Sequence, residues 1–512
     1  MKKYGDIFDK YFWIPVILLT ILTYGFTLSN YSIGIDDASL FWYIDWKVLV
    51  SQGRWGYELI SPIVNVSSFL PFWLDLLTIY VYLVTTVLWT ILFYEASNRK
   101  LVKEGCIIFS CLYISFPFLA EIFIFMAADL LSGFTMLFAV LAVREFYKGF
   151  ERRKFICFII SSLYIAIGYG FYESVIVYFL LGVTICSFLN EIWVSKGGVK
   201  KVLCNISIAF VVMCVGFLIS RIILNYFVEH YNITPNSYAN QYFSYCFDIT
   251  IMEQILITFK ELFFYICSQK DTVNGTLATS ILIIVSSVLY YSVKNKTIAP
   301  IIWGVSIIVS NFAIILGTGN LSIMQNTKRI LFTYGLFTSF AISFSVSFLQ
   351  DIKIDLYWIK QIKKIVKYAI LLGAFVLIIR QSREMVGLFY VDHKRAVLDE
   401  RKASYINYEI EKTDWQNKAI IFLGSSPDYL STQNQDPLAS YFNYFKDRTE
   451  AEINNYISYY MSEVGYVYPI ALKEGEIEQA IKESKDQMCY PKTGYVTEYN
   501  DYIVVKLGNT EP

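Results

Sequence analysis

Trp13-Ile-Pro-Val-Ile-Leu-Leu-Thr-Ile-Leu-Thr-Tyr-Gly-Phe-Thr-Leu28 is an apolar run without a charge, and six residues further on the chain reads Gly34-Ile-Asp-Asp-Ala-Ser-Leu-Phe-Trp-Tyr-Ile-Asp-Trp-Lys-Val-Leu-Val-Ser-Gln-Gly-Arg-Trp-Gly-Tyr-Glu58. The first stretch is close to the length that spans a bilayer, where the backbone finds no water to bond and must satisfy itself as a helix. No small-residue cleavage site follows, and aromatic residues are scattered through the run, so it reads as a retained first membrane helix and not a signal peptide. The second stretch places two adjacent carboxylates, Asp36 and Asp37, just past the end of that helix.

The same alternation of apolar runs and charged clusters continues along the chain. Of the 512 residues, 56% are hydrophobic and only 17% are charged, with mean hydropathy +0.47. A soluble chain carries nearer a quarter charged residues. Apolar segments are expected as helices at 13–29, 72–95, 105–125, 128–147, 155–170, 174–190, 202–223, 276–293, 299–316, 329–349 and 367–380. The expected fold class is therefore an α-helical polytopic membrane protein of about eleven transmembrane helices. The short alternating segments of a transmembrane barrel are absent.

Basic residues set the orientation. With the N-terminus cytoplasmic, that side holds Lys2, Lys3 and Lys10, the Arg99–Lys103 and Arg144–Lys154 clusters, Lys196–Lys201, Lys294 and Lys296, and the run from Lys353 to Lys367. The opposite side holds only Lys47, Arg54, Lys260, Lys270, Lys328 and Arg329. An odd helix count then puts the C-terminus outside. Two domains follow: residues 1–380 as the membrane part, with outward loops 30–71 and 224–275, and residues 381–512 as a small extracytoplasmic α/β domain. In the latter, Lys418-Ala-Ile-Ile-Phe-Leu-Gly424 reads as a buried strand ending in a turn and Tyr502-Ile-Val-Val-Lys-Leu507 as a closing strand.

Several function classes drop out. A net charge of +0 gives no electrostatic footprint for nucleic acid. His230 and His393, the two histidines, are far apart in sequence, which argues against a multi-histidine metal site. The nine cysteines fall mostly in apolar segments and read as small buried hydrophobes, not a disulfide framework. No glycine-rich phosphate loop follows a strand, so a nucleotide-sugar donor is disfavoured.

Asp36 and Asp37 have two readings. One is helix capping, because Leu40, Phe41, Ile44, Val48 and Leu49 fall at helical spacing in a segment suited to lie along the membrane interface. The other is general-base chemistry, in which a carboxylate takes the proton of an attacking hydroxyl while its neighbour tunes or orients it. Glu121 and Asp129 flank the turn between the third and fourth helices, either as hydrogen-bonded interfacial acids or as sugar or metal ligands. Lys328 and Arg329 open the tenth helix on the basic-poor side and suit a phosphate or lipid headgroup, as does Arg54 unless it pairs with Glu58 or Asp45. Arg221 sits where it can snorkel to the interface.

The Asp-Asp pair after the first helix, the amphipathic segment and Gly53-Arg54-Trp55 together resemble the polytopic bacterial glucosyltransferases that modify O-antigen and related surface glycans, which have the multi-helix GT-C architecture. The resemblance extends over roughly residues 10–350 and takes in Pro117-Phe-Leu-Ala-Glu121-Ile-Phe-Ile-Phe and Tyr169-Gly-Phe-Tyr172-Glu173. Glu173 departs from the glutamine usual at that place. The resemblance implies a donor hexose, most often glucose, on a polyprenyl phosphate, and a glycan or lipid-linked saccharide acceptor at the outer face of the bacterial cytoplasmic membrane. It implies Asp36 and Asp37 as catalytic residues, with Lys328, Arg329 and Arg54 toward the donor phosphate. Glu121, Asp129, Glu173 and Trp55 are then expected around sugar or acceptor. No cofactor is required, and a divalent metal ion is left open. The competing classes are a flippase for lipid-linked saccharides, disfavoured by the lack of clear internal repeats, and a scaffold displaying the C-terminal domain, which explains the paired acids only as caps.

Overall fold

The computed structural model describes residues 5–30, 32–34, 37, 47–64, 70–123, 126–194, 198–234, 251–267, 272–318, 331–352, 357–426, 440–443, 448–466, 468 and 475–509. Asp36, Lys328 and Arg329 lie outside the described residues, as does most of the expected interfacial helix.

The helices run α1 (Lys10–Ser29), α2 (Lys47–Ser51), α3 (Tyr57–Val64), α4 (Pro71–Ala96), α5 (Lys103–Ile114), α6 (Phe118–Phe123), α7 (Met126–Arg152) and α8 (Phe155–Phe171). They continue as α9 (Val175–Trp193), α10 (Gly198–Tyr231), α11 (Ile251–Cys267), α12 (Thr272–Asn295), α13 (Ala299–Asn311), α14 (Ala313–Thr318), α15 (Tyr334–Asp351) and α16 (Tyr357–Ile410). Among the described residues, seven helices are long and apolar enough to cross a membrane, and Phe155–Phe171 and Ala299–Asn311 are shorter apolar helices. The expected count of about eleven is thus not reproduced.

Three expected boundaries are corrected. The segment 105–125 breaks between α5 and α6 at Ser115–Pro117, where proline supplies no N–H to continue the ladder. The segment 299–316 breaks at Phe312. The segment 367–380 is an interior part of α16, a helix of 54 residues that absorbs the charged pattern beyond it. Hydropathy marks where an apolar stretch ends, but backbone hydrogen bonding does not stop there. The expected division at residue 380 therefore falls inside a continuous helix. Helix α11 lies within the segment expected as the second outward loop.

Burial sorts the bundle into centre and rim. The α5–α6 segment is 89% buried and α9 is 83% buried, whereas α10 is only 22% buried. Helix α10 exposes Phe210, Val211, Leu218 and Ile222, and α1 exposes Ile14, Leu18, Ile21 and Leu22. Apolar belts of this size on the rim of a helix bundle are surfaces for lipid. Helix α15 is enclosed, with every residue from Tyr334 to Ser347 buried. Its serines and threonines are tolerated there because several bond their own helix: Thr338 to Tyr334 O, Ser343 to Phe340 O and Ser345 to Ile342 O.

The bundle has two different ends. At one, the charged helix termini pair: Asp9 with Lys103 at 2.5 Å, Glu104 with Lys367 at 2.9 Å and Asp351 with Lys294 at 3.0 Å. Lys100 donates to Trp193 O, and the Trp193 indole donates to the Tyr291 hydroxyl, which donates to Asp351. This end brings together Lys100, Lys103, Lys294 and Lys367, all of which the sequence assigned to one side. The other end holds the turns between α1 and α4, α6 and α7, and α8 and α9.

The C-terminal part is a three-stranded sheet of β1 (Ala419–Leu423), β2 (Val496–Glu498) and β3 (Tyr502–Lys506), in the order β1-β3-β2. Strand β1 pairs in parallel with β3 from Ala419↔Tyr502 to Leu423↔Lys506, and β2 is antiparallel to β3. Both expected strands are found, and all five positions of each are buried. The sheet is covered on both faces, which is why these strands read as continuous apolar runs. Ile420, Phe422, Ile503 and Val505 pack with Ile406 and Ile410 at the end of α16 and with Ile453 and Ile457 of α17 (Glu450–Glu463). Ile421, Leu423 and Val504 pack on Ala480 of α18 (Glu476–Glu483).

Candidate active site

The end of the bundle away from the paired charges gathers three buried carboxylic acids. Asp37, immediately after α1, is fully buried, as is Asp129 in the first turn of α7, and Asp75 near the start of α4 is 2% exposed. The Asp75 and Asp129 carboxyls face one another, and Asp37 lies within electrostatic range of both. Thr27, in the last turn of α1, lies against Asp75. Among the described residues, Asp75 Oδ1 and Asp129 Oδ2 have no hydrogen-bond partner. The other Asp129 oxygen accepts the Leu130 N–H.

Local structure accounts for part of this placement. Asp129 is near a helix N-terminus, where the macrodipole favours a negative charge. Asp37 closes a tight turn: its N–H donates to Gly34 O at 2.9 Å, and its Oδ2 accepts the Gly34 N–H at 2.8 Å. The side chain thus bonds backward along the chain, to Gly34, and the segment that the expected N-cap would serve, 38–46, lies outside the described residues. Capping does not explain the cluster, because like charges brought together out of water cost several kcal/mol unless cations meet them. Groups held at such a cost near a membrane boundary are functional-site candidates.

A second group forms around Gly53-Arg54-Trp55-Gly56. The Trp55 indole donates to Ser220 Oγ at 3.0 Å, and its ring stacks with Phe227 at 6.2 Å. Its other flank is closed by Gly170, where an added Cβ would come within 2.4 Å of the ring. The Gly56 N–H donates to Gly170 O at 2.7 Å. Two motifs separated by more than a hundred residues therefore interlock through glycines that allow the backbone to approach. Trp55 is 2% exposed, so its ring anchors the turn. Arg54, beside it, lies over the Tyr172 ring at 5.0 Å, and its Nε is buried without a partner. It makes no ion pair among the described residues, and Glu58 instead accepts from the Tyr231 hydroxyl at 3.1 Å.

Other expected site residues are dispersed. Glu121 is half-buried on α6, and Glu173 is half-buried in the turn between α8 and α9. Arg221 is exposed on α10 and lies over Phe217 at 5.1 Å and Tyr169 at 5.9 Å. Among the described residues, no three His, Cys, Asp or Glu side chains are set to share a metal ion. Asp75 was not singled out in the sequence, because one acid inside an otherwise apolar span does not disturb the pattern. The signal was its cost: an acid at that depth is itself a functional indication.

Residues 25–349 match the family model described as Glucosyl transferase GtrII. No curated protein matches the chain, and no solved structure does. The matched stretch is more than half of the chain and takes in both side-chain groups, from Asp37, Asp75 and Asp129 to Arg54 and Trp55; the chain belongs to the GtrII glucosyl transferase family.

Proposed function

We propose that this membrane protein moves a glucosyl residue from a polyprenyl phosphate donor to a hydroxyl of a surface glycan or lipid-linked saccharide, at the outer face of the bacterial cytoplasmic membrane. Residues 1–380 form the GT-C-type catalytic part, and residues 381–512 form an extracytoplasmic domain, with the N-terminus in the cytoplasm. The observation that carries this reading is the burial of Asp37 at the bundle end where Asp75 and Asp129 are also buried, neither in an ion pair among the described residues.

In this reading Asp37, or Asp36 beside it, accepts the proton of the acceptor hydroxyl as the oxygen bonds to the anomeric carbon. The bond from that carbon to the donor phosphate breaks, and the phosphate leaves with the electron pair. Its oxygens already carry charge, so no strong acid is needed at the leaving group. Arg54 is suited to meet it, because a guanidinium pairs two phosphate oxygens at once, and Lys328 and Arg329 are further candidates for the same phosphate. Trp55 holds Arg54 in place, and Glu121, Glu173 and Asp129 remain candidates for sugar or acceptor hydroxyls.

The test is transfer by the reconstituted full-length protein from polyprenyl phosphate glucose to a cell-envelope acceptor. Asp37→Asn is expected to slow transfer by about 10²–10⁴-fold, the usual contribution of a positioned base. Wild-type rates from both Asp36→Asn and Asp37→Asn would overturn the assigned chemistry. Passage of labelled lipid-linked sugar across the bilayer with no transfer product would favour a flippase.

A further inference from the structure

A buried ion cluster at the far end of α16 reaches back to the turn that carries Asp37. Arg395 is 1% exposed. Its Nε donates to Asp392 at 2.9 Å, one terminal nitrogen to Asp399 at 3.3 Å, and the other to the Ile33 carbonyl at 2.9 Å. Asp392 also accepts the Ser32 hydroxyl. Asp399 accepts the Ser440 hydroxyl at 2.6 Å and the Tyr441 N–H at 3.1 Å. The Tyr441 hydroxyl then donates to the Gly34 carbonyl, the same carbonyl that accepts the Asp37 N–H. Ile33 packs against the apolar core beneath the C-terminal sheet, and Tyr441 is held by stacking on Tyr460 at 4.3 Å.

Three consecutive residues, Ser32, Ile33 and Gly34, are thus each gripped by one cluster, and Gly34 is bonded to Asp37 in both directions. A buried ion cluster is a poor source of net stability, since well-packed apolar side chains of similar volume often serve as well. What it supplies is fixed geometry: a planar guanidinium with three partners at set angles. A catalytic group displaced by about 1 Å can lose about 10²-fold in rate, so fixed geometry has value at this turn. We infer that Arg395, Asp392, Asp399 and Tyr441 are positioning residues, through which the C-terminal domain and α16 hold the Asp37 carboxylate in place for transfer. This rests on the reading of Asp37 as a reacting group.

Removing Arg395 outright strands two buried acids, so the informative variant is Tyr441→Phe, which deletes one hydroxyl and keeps the ring on Tyr460. In the full-length reconstituted protein, Tyr441→Phe is expected to lower kcat by about 10- to 100-fold with KM for the polyprenyl phosphate glucose donor unchanged. Combined with Asp37→Asn it is expected to cost nothing further. Equal losses in both backgrounds would overturn the inference, because Tyr441 would then act independently of Asp37. Hydrogen exchange of the peptide covering residues 30–38 separates this inference from the reading beneath it. Faster exchange in Tyr441→Phe supports the clasp even if Asp37→Asn proves fully active, which would sink only the base assignment. Unchanged exchange would overturn the clasp itself. Arg395→Lys, which keeps the charge but lacks the planar fork whose three nitrogens reach Asp392, Asp399 and Ile33, is expected to behave as Tyr441→Phe does.

Discussion

The two ends of the helix bundle treat charge in opposite ways. At one end Asp9, Glu104 and Asp351 each meet a lysine within 3.0 Å. At the other, Asp37, Asp75 and Asp129 are buried together, with one oxygen each of Asp75 and Asp129 unpartnered among the described residues. Arg54, buried at Nε, likewise lacks an acidic partner among the described residues. Paired charges at helix ends need no explanation beyond keeping lysines and acids hydrated and neutral at a boundary. Acids buried close to one another are costly, and a fold that keeps them retains them for something other than stability.

The contrast is broken or sharpened most by neutralising the costly end. Asp75→Asn and Asp129→Asn are expected to cut the glucosyl transfer rate by about tenfold or more while leaving the thermal midpoint unchanged or higher, since a neutral amide relieves the repulsion. A lower midpoint together with a normal rate would make the cluster structural, and the two ends would then differ only in appearance. Next in size is Gly170→Ala. The new methyl meets the Trp55 ring, and overpacking of this kind typically costs about 1–3 kcal/mol. Denaturation of the detergent-solubilised protein should show the loss, and donor KM should rise if Arg54 shifts with its neighbour. The smallest effect belongs to the paired end. Lys294→Ala leaves Asp351 bonded to Tyr291, and partly exposed pairs of this kind contribute less than about 1 kcal/mol. The transfer rate should not change; a large loss would show that this end, too, takes part in catalysis.

Parts of the site were legible in the sequence and parts were not. Asp37 and Asp129 stood out because they sit at the edges of apolar runs. Asp75 lies as near the edge of its expected segment, 72–95, as Asp129 does of 128–147, yet window-averaged hydropathy absorbs one acid and it was passed over. Arg54 stood out for its sign on a face poor in basic residues, but its seat over Tyr172 depends on Gly170 admitting Trp55, which no local pattern encodes. The grip on residues 32–34 was invisible, since Arg395 and Ile33 are 362 positions apart. The broken segments show the same limit in the backbone. The expected helix 105–125 ran through Pro117, the residue at which it breaks, and the break at Phe312 has no comparable breaker in the sequence.

Composition and periodicity alone determined that this chain is a helical membrane protein, where its apolar segments lie and which loops are basic, because those properties follow from transferring each segment into lipid one at a time. The same arithmetic gave the two buried strands of the C-terminal sheet. Only the tertiary structure decided which acids meet, that Arg54 seats over Tyr172 and that α16 ties the distal domain to the Asp37 turn. Those outcomes depend on pairwise distances between segments remote in the chain, and a pairwise energy has no trace in the composition of either partner.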